Sequence, residues 1–256
     1  MEVIIGNISL NYEEVIPSNL TNNSRVLLFI HEALGSIGQW KTFPEVLCEA
    51  TGLKGIVYER QGHGGSSQFS ESRKADYLHR YALEELPAFL DQVLKENERI
   101  ILVGHSDGGT IALLYASQFP ESVDAVITMA AHVINEPETI AGIDPAVKAF
   151  KVGKLDGLRK YHGDKTETLF YAWANTWRSD SFRNWNICDE ISSAIPNYLC
   201  IQGADDQYGT EAQLNLIKIA LPQAETIMLP GCGHHPHLEQ IEKVCRLITD
   251  HLSNLA

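Results

Sequence analysis

Short apolar runs recur along the chain and alternate with amphipathic stretches of helical period. An apolar run without polar alternation is typical of a strand that is buried on both faces of a sheet. Strands are predicted at residues 26–30, 55–58, 100–103, 126–129, 198–201 and 225–229. Helices are predicted at residues 41–51, 76–96, 107–119, 210–221 and 238–252. Strands separated by helices of this length indicate an α/β protein with a mostly parallel central sheet and helices on both faces.

Two regions depart from this alternation. Residues 3–9 and 10–16 predict an N-terminal hairpin with its bend at or near Gly6-Asn7. After the sixth strand, residues 133–190 show no buried-strand pattern, only helical stretches rich in aromatic residues. We therefore expect an α/β core made of residues 1–132 and 191–256. A helical segment, residues 133–190 and here called the insertion, is expected to follow the sixth strand of that core, counting the two strands of the hairpin.

Composition and charge narrow the possible partners. With 256 residues, 44% of them hydrophobic, the chain can bury one large core. Its formal net charge is -13, and no run of Lys and Arg offsets it, so we expect no nucleic-acid partner. No apolar segment is long enough to span a bilayer, and the N-terminus lacks the pattern of a signal peptide. These patterns predict a cytoplasmic protein without membrane association, either a monomer or a homodimer.

The cysteines and histidines give no sign of a metal centre. The five cysteines are scattered, odd in number and without a CxxC pair, so reduced buried thiols are expected. No His/Glu pair has zinc spacing apart from the cluster of His234, His235 and His237. We interpret that cluster as structural or, at most, an adventitious metal site. No metal and no cofactor are therefore expected.

The turn between the strand at 100–103 and the helix at 107–119 carries the clearest chemical signal. Its sequence, Gly104-His105-Ser106-Asp107-Gly108, fits G-x-S-x-G. A strand-to-helix turn this tight forces strained backbone angles on the central serine, and only small residues fit two positions away. The serine hydroxyl then projects at a helix N-terminus, where developing negative charge is favoured. Ser106 is therefore the candidate nucleophile.

A serine nucleophile needs a base and an acid that orients the base. Gln202-Gly203-Ala204-Asp205-Asp206 follows one predicted strand, and Gly231-Cys232-Gly233-His234 follows the last one. Both loops lie at carboxyl ends of strands, where an open α/β sheet places its active site. Spacing alone leaves Asp205 and Asp206 both open as the acid. We interpret His237 as the start of the last helix and His235-Pro236 as a turn.

Five motifs together resemble the α/β-hydrolases of esterase and lactonase type. In chain order they read LLFIHEALGS, YERQGHGGSS, GHSDGG, IQGADDQYG and LPGCGHHPHLEQ, and the resemblance covers the chain from Val26 to the C-terminal helix. It implies Asp206 as the acid and His234 as the general base. It also implies an oxyanion hole formed by the backbone N–H groups of Ala33 and Asp107.

The resemblance leaves the substrate pocket open. Glu32 stands where the family usually has glycine in H-G-x-x-G; its carboxylate could weaken the oxyanion hole, bind a polar substrate group, or turn into a structural hydrogen bond. In the family the insertion is a helical cap over the active site. Its aromatics could line a pocket or pack among themselves. The candidates for substrate contact are Glu32, Trp40, Trp173, Trp177 and Trp185.

Three functions remain open from the sequence. The first is hydrolysis of a small carboxylic ester or lactone through the triad and an acyl-enzyme. The second is hydrolysis of a carbon–carbon bond, or cofactor-free lyase chemistry, on the same residues. The third is a ligand-binding receptor that kept the fold. Turnover of p-nitrophenyl esters would separate the first function from the third.

The charge of the insertion bears on the substrate. Lys148, Lys151 and Lys154 could guide an anionic substrate, but their three-residue spacing is typical of one solvated helical face. We therefore expect neutral, short-chain or aryl esters and lactones to be preferred over polyanions such as acyl-CoA.

Overall fold

The computed structural model describes residues 1–21, 24–191, 197–253 and 255. Its strands are β1 (Glu2–Ile5), β2 (Ile8–Val15), β3 (Arg25–Ile30), β4 (Lys54–Tyr58), β5 (Arg99–His105), β6 (Val123–Met129), β7 (Tyr198–Gly203) and β8 (Glu225–Leu229). They form one sheet in the order β1-β2-β4-β3-β5-β6-β7-β8. β2 pairs antiparallel with β1 and with β4, and every pair from β4 onward is parallel. The predicted mostly parallel sheet is confirmed.

Helices cover both faces of this sheet. They are α1 (Phe43–Thr51), α2 (Tyr77–Arg80), α3 (Leu86–Val93), α4 (Asp107–Gln118), α5 (Pro137–Lys151), α6 (Arg159–His162), α7 (Thr166–Trp177), α8 (Glu211–Ala220), α9 (Pro236–Glu239) and α10 (Ile241–Ser253). Successive residues of β3 point to opposite sides, so Leu27 and Phe29 join one apolar cluster and Leu28 and Ile30 the other. The first cluster contains residues of α1 and α10, and the second contains residues of α2, α3, α4, α5, α7 and α8.

The insertion contributes helices α5, α6 and α7 and several short 3₁₀ turns. Its described residues form no strand, only an isolated bridge between Ile134 and Asn186. Much of its aromatic content packs on itself. Phe150 stacks on Phe170 with ring centroids 3.9 Å apart, and Phe182 stacks on Trp185 at 5.0 Å.

The predicted boundaries differ from the structure at three places. The N-terminal hairpin bends at Gly6-Asn7, but its second strand already begins at Ile8. The helix predicted over 76–96 ends at Val93 and includes a π-helical turn, Tyr81–Glu85, between α2 and α3. The last predicted helix is divided into α9 and α10, so His237 lies within α9 instead of opening the final helix. Among the described residues, no helix is both long enough and apolar enough to cross a membrane.

Candidate active site

Ser106 occupies a strained turn between β5 and α4. Its φ of 53° and ψ of -118° lie outside the regions that residues with a side chain normally adopt, at a cost of about 1–3 kcal/mol. A Cβ at Gly104 would lie 2.3 Å from the Gly108 carbonyl oxygen, and one at Gly108 would lie 1.8 Å from that of Ile30. Both glycines are therefore required by close backbone contacts, as the motif predicts.

The loops after β7 and β8 lie against one another. A Cβ at Gly203 would lie 2.1 Å from the Gly233 carbonyl oxygen, and the Asp205 N–H donates to the Cys232 carbonyl at 2.9 Å. This close approach brings the side chains of Asp206 and His234 together. His234 Nδ1 lies 2.9 Å from Asp206 Oδ1 and 2.8 Å from Oδ2.

Asp206, not Asp205, faces the histidine. The Asp206 carboxylate is 0% exposed, whereas Asp205 is exposed. Asp206 also accepts hydrogen bonds from Gln202 Nε2 at 2.6 Å and from the Tyr208 N–H at 2.8 Å. Burial of this carboxyl opposes its ionisation, but the bonds from His234 and Tyr208 outweigh burial, so its pKa lies below the ordinary value.

Two further residues hold the His234 loop in place. His105, inside the elbow, donates from Nε2 to the His234 carbonyl oxygen at 2.7 Å. Glu239 of α9 accepts the N–H groups on either side, from Gly233 at 2.7 Å and from His235 at 3.0 Å. The sequence does not reveal these roles. The His105 contact joins segments far apart in the chain, and the Glu239 contacts cross a turn whose shape the sequence does not give.

Ala33 and Asp107 line the same cavity as Ser106. Asp107 is the first residue of α4, so its N–H has no partner within the helix. Among the described residues, no acceptor meets the N–H group of Ala33 or that of Asp107. The oxyanion hole expected from these two N–H groups stays a prediction.

Glu32 lies beside these donors. Its Oε2 accepts the Leu34 N–H at 2.8 Å, and its backbone carbonyl accepts from Arg60 Nη2 at 2.8 Å. Burial raises the pKa of the Glu32 carboxyl, while the Leu34 N–H and the nearby His234 oppose that rise. The sequence left open whether Glu32 makes a structural hydrogen bond or lies at the pocket. Glu32 does both, since its Oε2 accepts the Leu34 N–H and the residue lines the cavity that contains Ser106.

A cavity of about 900 Å³ opens above the sheet and contains Ser106, Asp206 and His234 in its lining. The insertion supplies one wall, with residues of α5 and with Trp173 and Trp177 of α7. Tyr77 connects this wall to the elbow, because Trp177 Nε1 donates to the Tyr77 hydroxyl and that hydroxyl donates to Asp107 Oδ2, both at 2.8 Å.

Two of the aromatic candidates lie outside this lining. Trp40 follows a short 3₁₀ turn, packs on Phe29 and Phe43, and borders a smaller neighbouring cavity of about 220 Å³. Trp185 packs on Phe182 and Trp177. The expectation that Trp40 and Trp185 contact substrate in the Ser106 pocket is therefore not met. Each side chain packs against neighbouring aromatic rings instead.

The other histidines near the site have lowered pKa values. Burial, reinforced by neighbouring histidines, lowers the pKa of His105 and His237, and it lowers that of His235 to about 4. His235 borders the cavity, while the rings of His105 and His237 pack at 4.6 Å between centroids. Within the described ranges, no three His, Cys, Asp or Glu side chains are arranged to hold a metal ion.

The chain is similar in sequence to several known proteins. The chain is 33% identical over 146 residues to the biotin biosynthesis bifunctional protein BioHC of Teredinibacter turnerae, covering 53% of this chain and 23% of that protein. It is 27% identical to the 2-hydroxy-6-oxo-6-phenylhexa-2,4-dienoate hydrolase of Burkholderia cepacia, covering 60% of this chain and 62% of that one. The chain thus spans less than two thirds of either relative.

A solved carboxylesterase structure from the thaumarchaeon Nitrososphaera gargenis superposes with a TM-score of 0.78 at 18% identity, covering 100% of this chain and 98% of that one. At this identity the likeness shows the fold. The sequence profile of the alpha/beta hydrolase fold matches residues 25–172, more than half of the chain. The protein is therefore a member of the α/β hydrolase fold family.

Proposed function

We propose that this α/β hydrolase cleaves a small carboxylic ester or lactone through a Ser106-His234-Asp206 triad and an acyl-enzyme. The observation that carries the proposal is the Asp206–His234 hydrogen bond at 2.8 Å, in one cavity with a serine held at a strained elbow. The free N–H groups of Ala33 and Asp107 in the same cavity support it.

The proposed reaction begins when Ser106 Oγ attacks the ester carbonyl and His234 Nε2 takes its proton. Asp206 holds the Nδ1–H of His234 and stabilises the imidazolium that forms. The developing oxyanion receives hydrogen bonds from the Ala33 and Asp107 N–H groups. His234 returns the proton to the leaving alcohol, and water then hydrolyses the acyl-Ser106 bond by the same route.

A serine-directed fluorophosphonate tests the nucleophile. We expect one covalent adduct, which peptide mass spectrometry places on Ser106. A panel of p-nitrophenyl esters, lactones and thioesters tests the bond that is cleaved. Absence of both labelling and turnover would favour a receptor that kept the fold, while labelling at a different serine would refute the assignment.

Carbon–carbon bond hydrolysis is the second candidate, because the Burkholderia cepacia relative is named a dienoate hydrolase. A dienoate is an anion. Among the described residues that line the cavity there is no Lys or Arg to bind a carboxylate. This lining favours the ester or lactone over the dienoate, and also over polyanions such as acyl-CoA.

The position of the lysines supports the same preference. Lys148, Lys151 and Lys154 are exposed on or just after α5 and do not line the cavity. Lys165 donates instead to the backbone carbonyls of His63, Gly64 and Ser66 in the core. We propose that the insertion acts as a cap whose cations serve solvation and anchoring and do not contact substrate.

A further inference from the structure

One oxygen of the Glu32 carboxylate is unused by the protein. Oε2 is fixed by the Leu34 N–H, whereas no donor among the described residues meets Oε1. Glu32 borders the cavity next to Ala33, one of the two proposed oxyanion donors. A carboxylate held there would disfavour a developing oxyanion unless a positive group offsets its charge.

His132 presents a second unused acceptor. Its Nε2 lies 2.9 Å from the Tyr208 carbonyl oxygen, which can only accept, so Nε2 carries the proton and Nδ1 is an acceptor. That Nδ1 is buried and has no partner among the described residues. His132 is 3% exposed and lines the same cavity as Glu32. Because this Nδ1 has almost no accessible surface, Glu32 Oε1 is the acceptor that remains for a ligand in the cavity.

The rest of the lining also suits a cation. Besides Glu32, the lining residues include Asp107 and Asp206, whose carboxylates bind Tyr77 and His234, and, at its edge, the exposed Glu138. Trp173, Trp177 and Tyr208 border it as well, and aromatic faces attract cations. The Arg60 guanidinium is fully buried outside the lining and binds the backbone carbonyl of Glu32, not its carboxylate.

From these contacts we infer that Glu32 binds a protonated amine on the acyl part of the substrate. An ammonium group carries three donors and one positive charge, whereas a hydroxyl has one donor and no charge. The inference rests on the proposed ester hydrolysis and narrows it to esters or lactones with an amine near the carbonyl.

The test uses four methyl esters that share one skeleton. Each is a methyl ester of β-phenylpropanoate, and the β carbon carries an amino group, a hydroxyl group, a carboxylate or no substituent. The assay is run at a pH at which the amine is protonated. We expect kcat/KM for the ammonium ester to exceed that for the unsubstituted ester by about tenfold or more, since charge-assisted hydrogen bonds are the strong ones. The anionic ester should be the poorest.

Glu32→Gln separates charge from structure. The glutamine amide oxygen can still accept the Leu34 N–H, so a purely structural Glu32 predicts an unchanged preference among the esters. We expect the preference for the ammonium ester to shrink to about twofold or less, since a neutral amide loses the charge-assisted bond. The matched control is Glu242→Gln, which removes one charge from an exposed position on α10 and should leave the ratio unchanged.

Binding to the Ser106→Ala variant keeps this test independent of hydrolysis. Calorimetry with the same esters should show the lowest Kd for the ammonium ester and the highest Kd for the anionic ester. In the Ser106→Ala, Glu32→Gln double variant the Kd values should become similar. Equal affinities, a preference for the anion, or an ammonium preference that survives Glu32→Gln would each overturn the inference. If binding follows the expected order but no ester is cleaved, it is the proposed hydrolysis that fails.

Discussion

The core and the insertion are held in place by different combinations of contacts. The core is a sheet with an apolar cluster on each face, so its position depends on burial of strands such as β3 and β5. The insertion shares one of these clusters through residues such as Ile143 and Phe170, and buried polar bonds fasten it to the core as well. Glu136, for example, accepts hydrogen bonds from the Thr210 N–H at 3.0 Å and from the Gln213 side chain.

A second set of bonds joins the insertion to the loops around the elbow. His162 accepts the Gly64 N–H at Nδ1, 3.0 Å away, and donates from Nε2 to the Leu34 carbonyl at 2.8 Å. The proposed reacting groups all lie in the core, whereas the insertion supplies much of the cavity wall. Core substitutions should therefore act on turnover, and insertion substitutions on substrate binding.

The largest expected effect is that of Ser106→Ala in the core. Loss of the nucleophile should lower kcat by about 10⁶-fold, because binding and the oxyanion hole alone remain. Initial-rate kinetics on the best ester measures it. Thermal unfolding should be nearly unchanged, which excludes misfolding; substantial residual turnover would contradict the mechanism.

Asp206→Asn comes next and has a neighbour as its control. It should reduce kcat by about 10⁴-fold, because an amide favours the wrong tautomer of His234. Asp205→Asn, one residue away and exposed, should have little effect on kcat. The reverse outcome would mean that the hydrogen bond seen at Asp206 does not serve the reaction.

Acid should destabilise the core more than the insertion. Burial lowers the pKa of seven histidines, His31, His63, His105, His132, His162, His235 and His237, and only His162 lies in the insertion. Below about pH 6.5 the unfolded chain binds protons that the folded chain refuses, so the free energy of unfolding falls by up to about 1.4 kcal/mol per pH unit for each histidine.

Two buried carboxyls oppose this trend. Burial raises the pKa of Glu85 to about 7 and also raises that of Glu32, so each carboxyl takes up its proton at a higher pH in the folded chain than in the unfolded chain. Seven groups outweigh two, and urea unfolding at pH 7, 6 and 5 should show decreasing stability with net proton uptake. Stability that is flat or rises toward pH 5 would show that these histidines are not held neutral.

The smallest effect is expected from the anchor of the insertion. Lys165→Met leaves three core carbonyls without their cationic donor, which should cost about 1.5–3 kcal/mol. Hydrogen exchange should increase across residues 133–190, and KM should rise more than kcat falls. Lys148→Met, at an exposed position of α5, is the matched control. Equal effects of the two variants would argue against a localised anchor.

The fold was predictable where a local apolar run marks a buried strand. The run at residues 26–30 lies in β3, the run at 100–103 lies in β5, and the run at 126–129 forms the C-terminal part of β6. The π-helical turn at Tyr81–Glu85 left no signal, because one added residue in a helical turn barely changes the apolar period.

The site was predictable to the extent that a single segment encodes it. The glycines around Ser106 mark a backbone that is already constrained. Asp206 and His234 were implied by the family resemblance, since spacing alone left Asp205 open as well. By contrast, His105, His132 and Glu239 were missed, because what they do depends on which loop meets them in space. The same limit placed Trp40 and Trp185 in the pocket, since an aromatic side chain reveals apolar surface but not its neighbour.

The bond from His105 to the His234 carbonyl joins residues 129 positions apart. During synthesis β5 and α4 leave the ribosome long before the loop after β8, which carries the proposed general base. On the proposed mechanism a partly synthesised chain therefore has Ser106 but lacks its base. It should not hydrolyse esters until the loop after β8 has been made and packed.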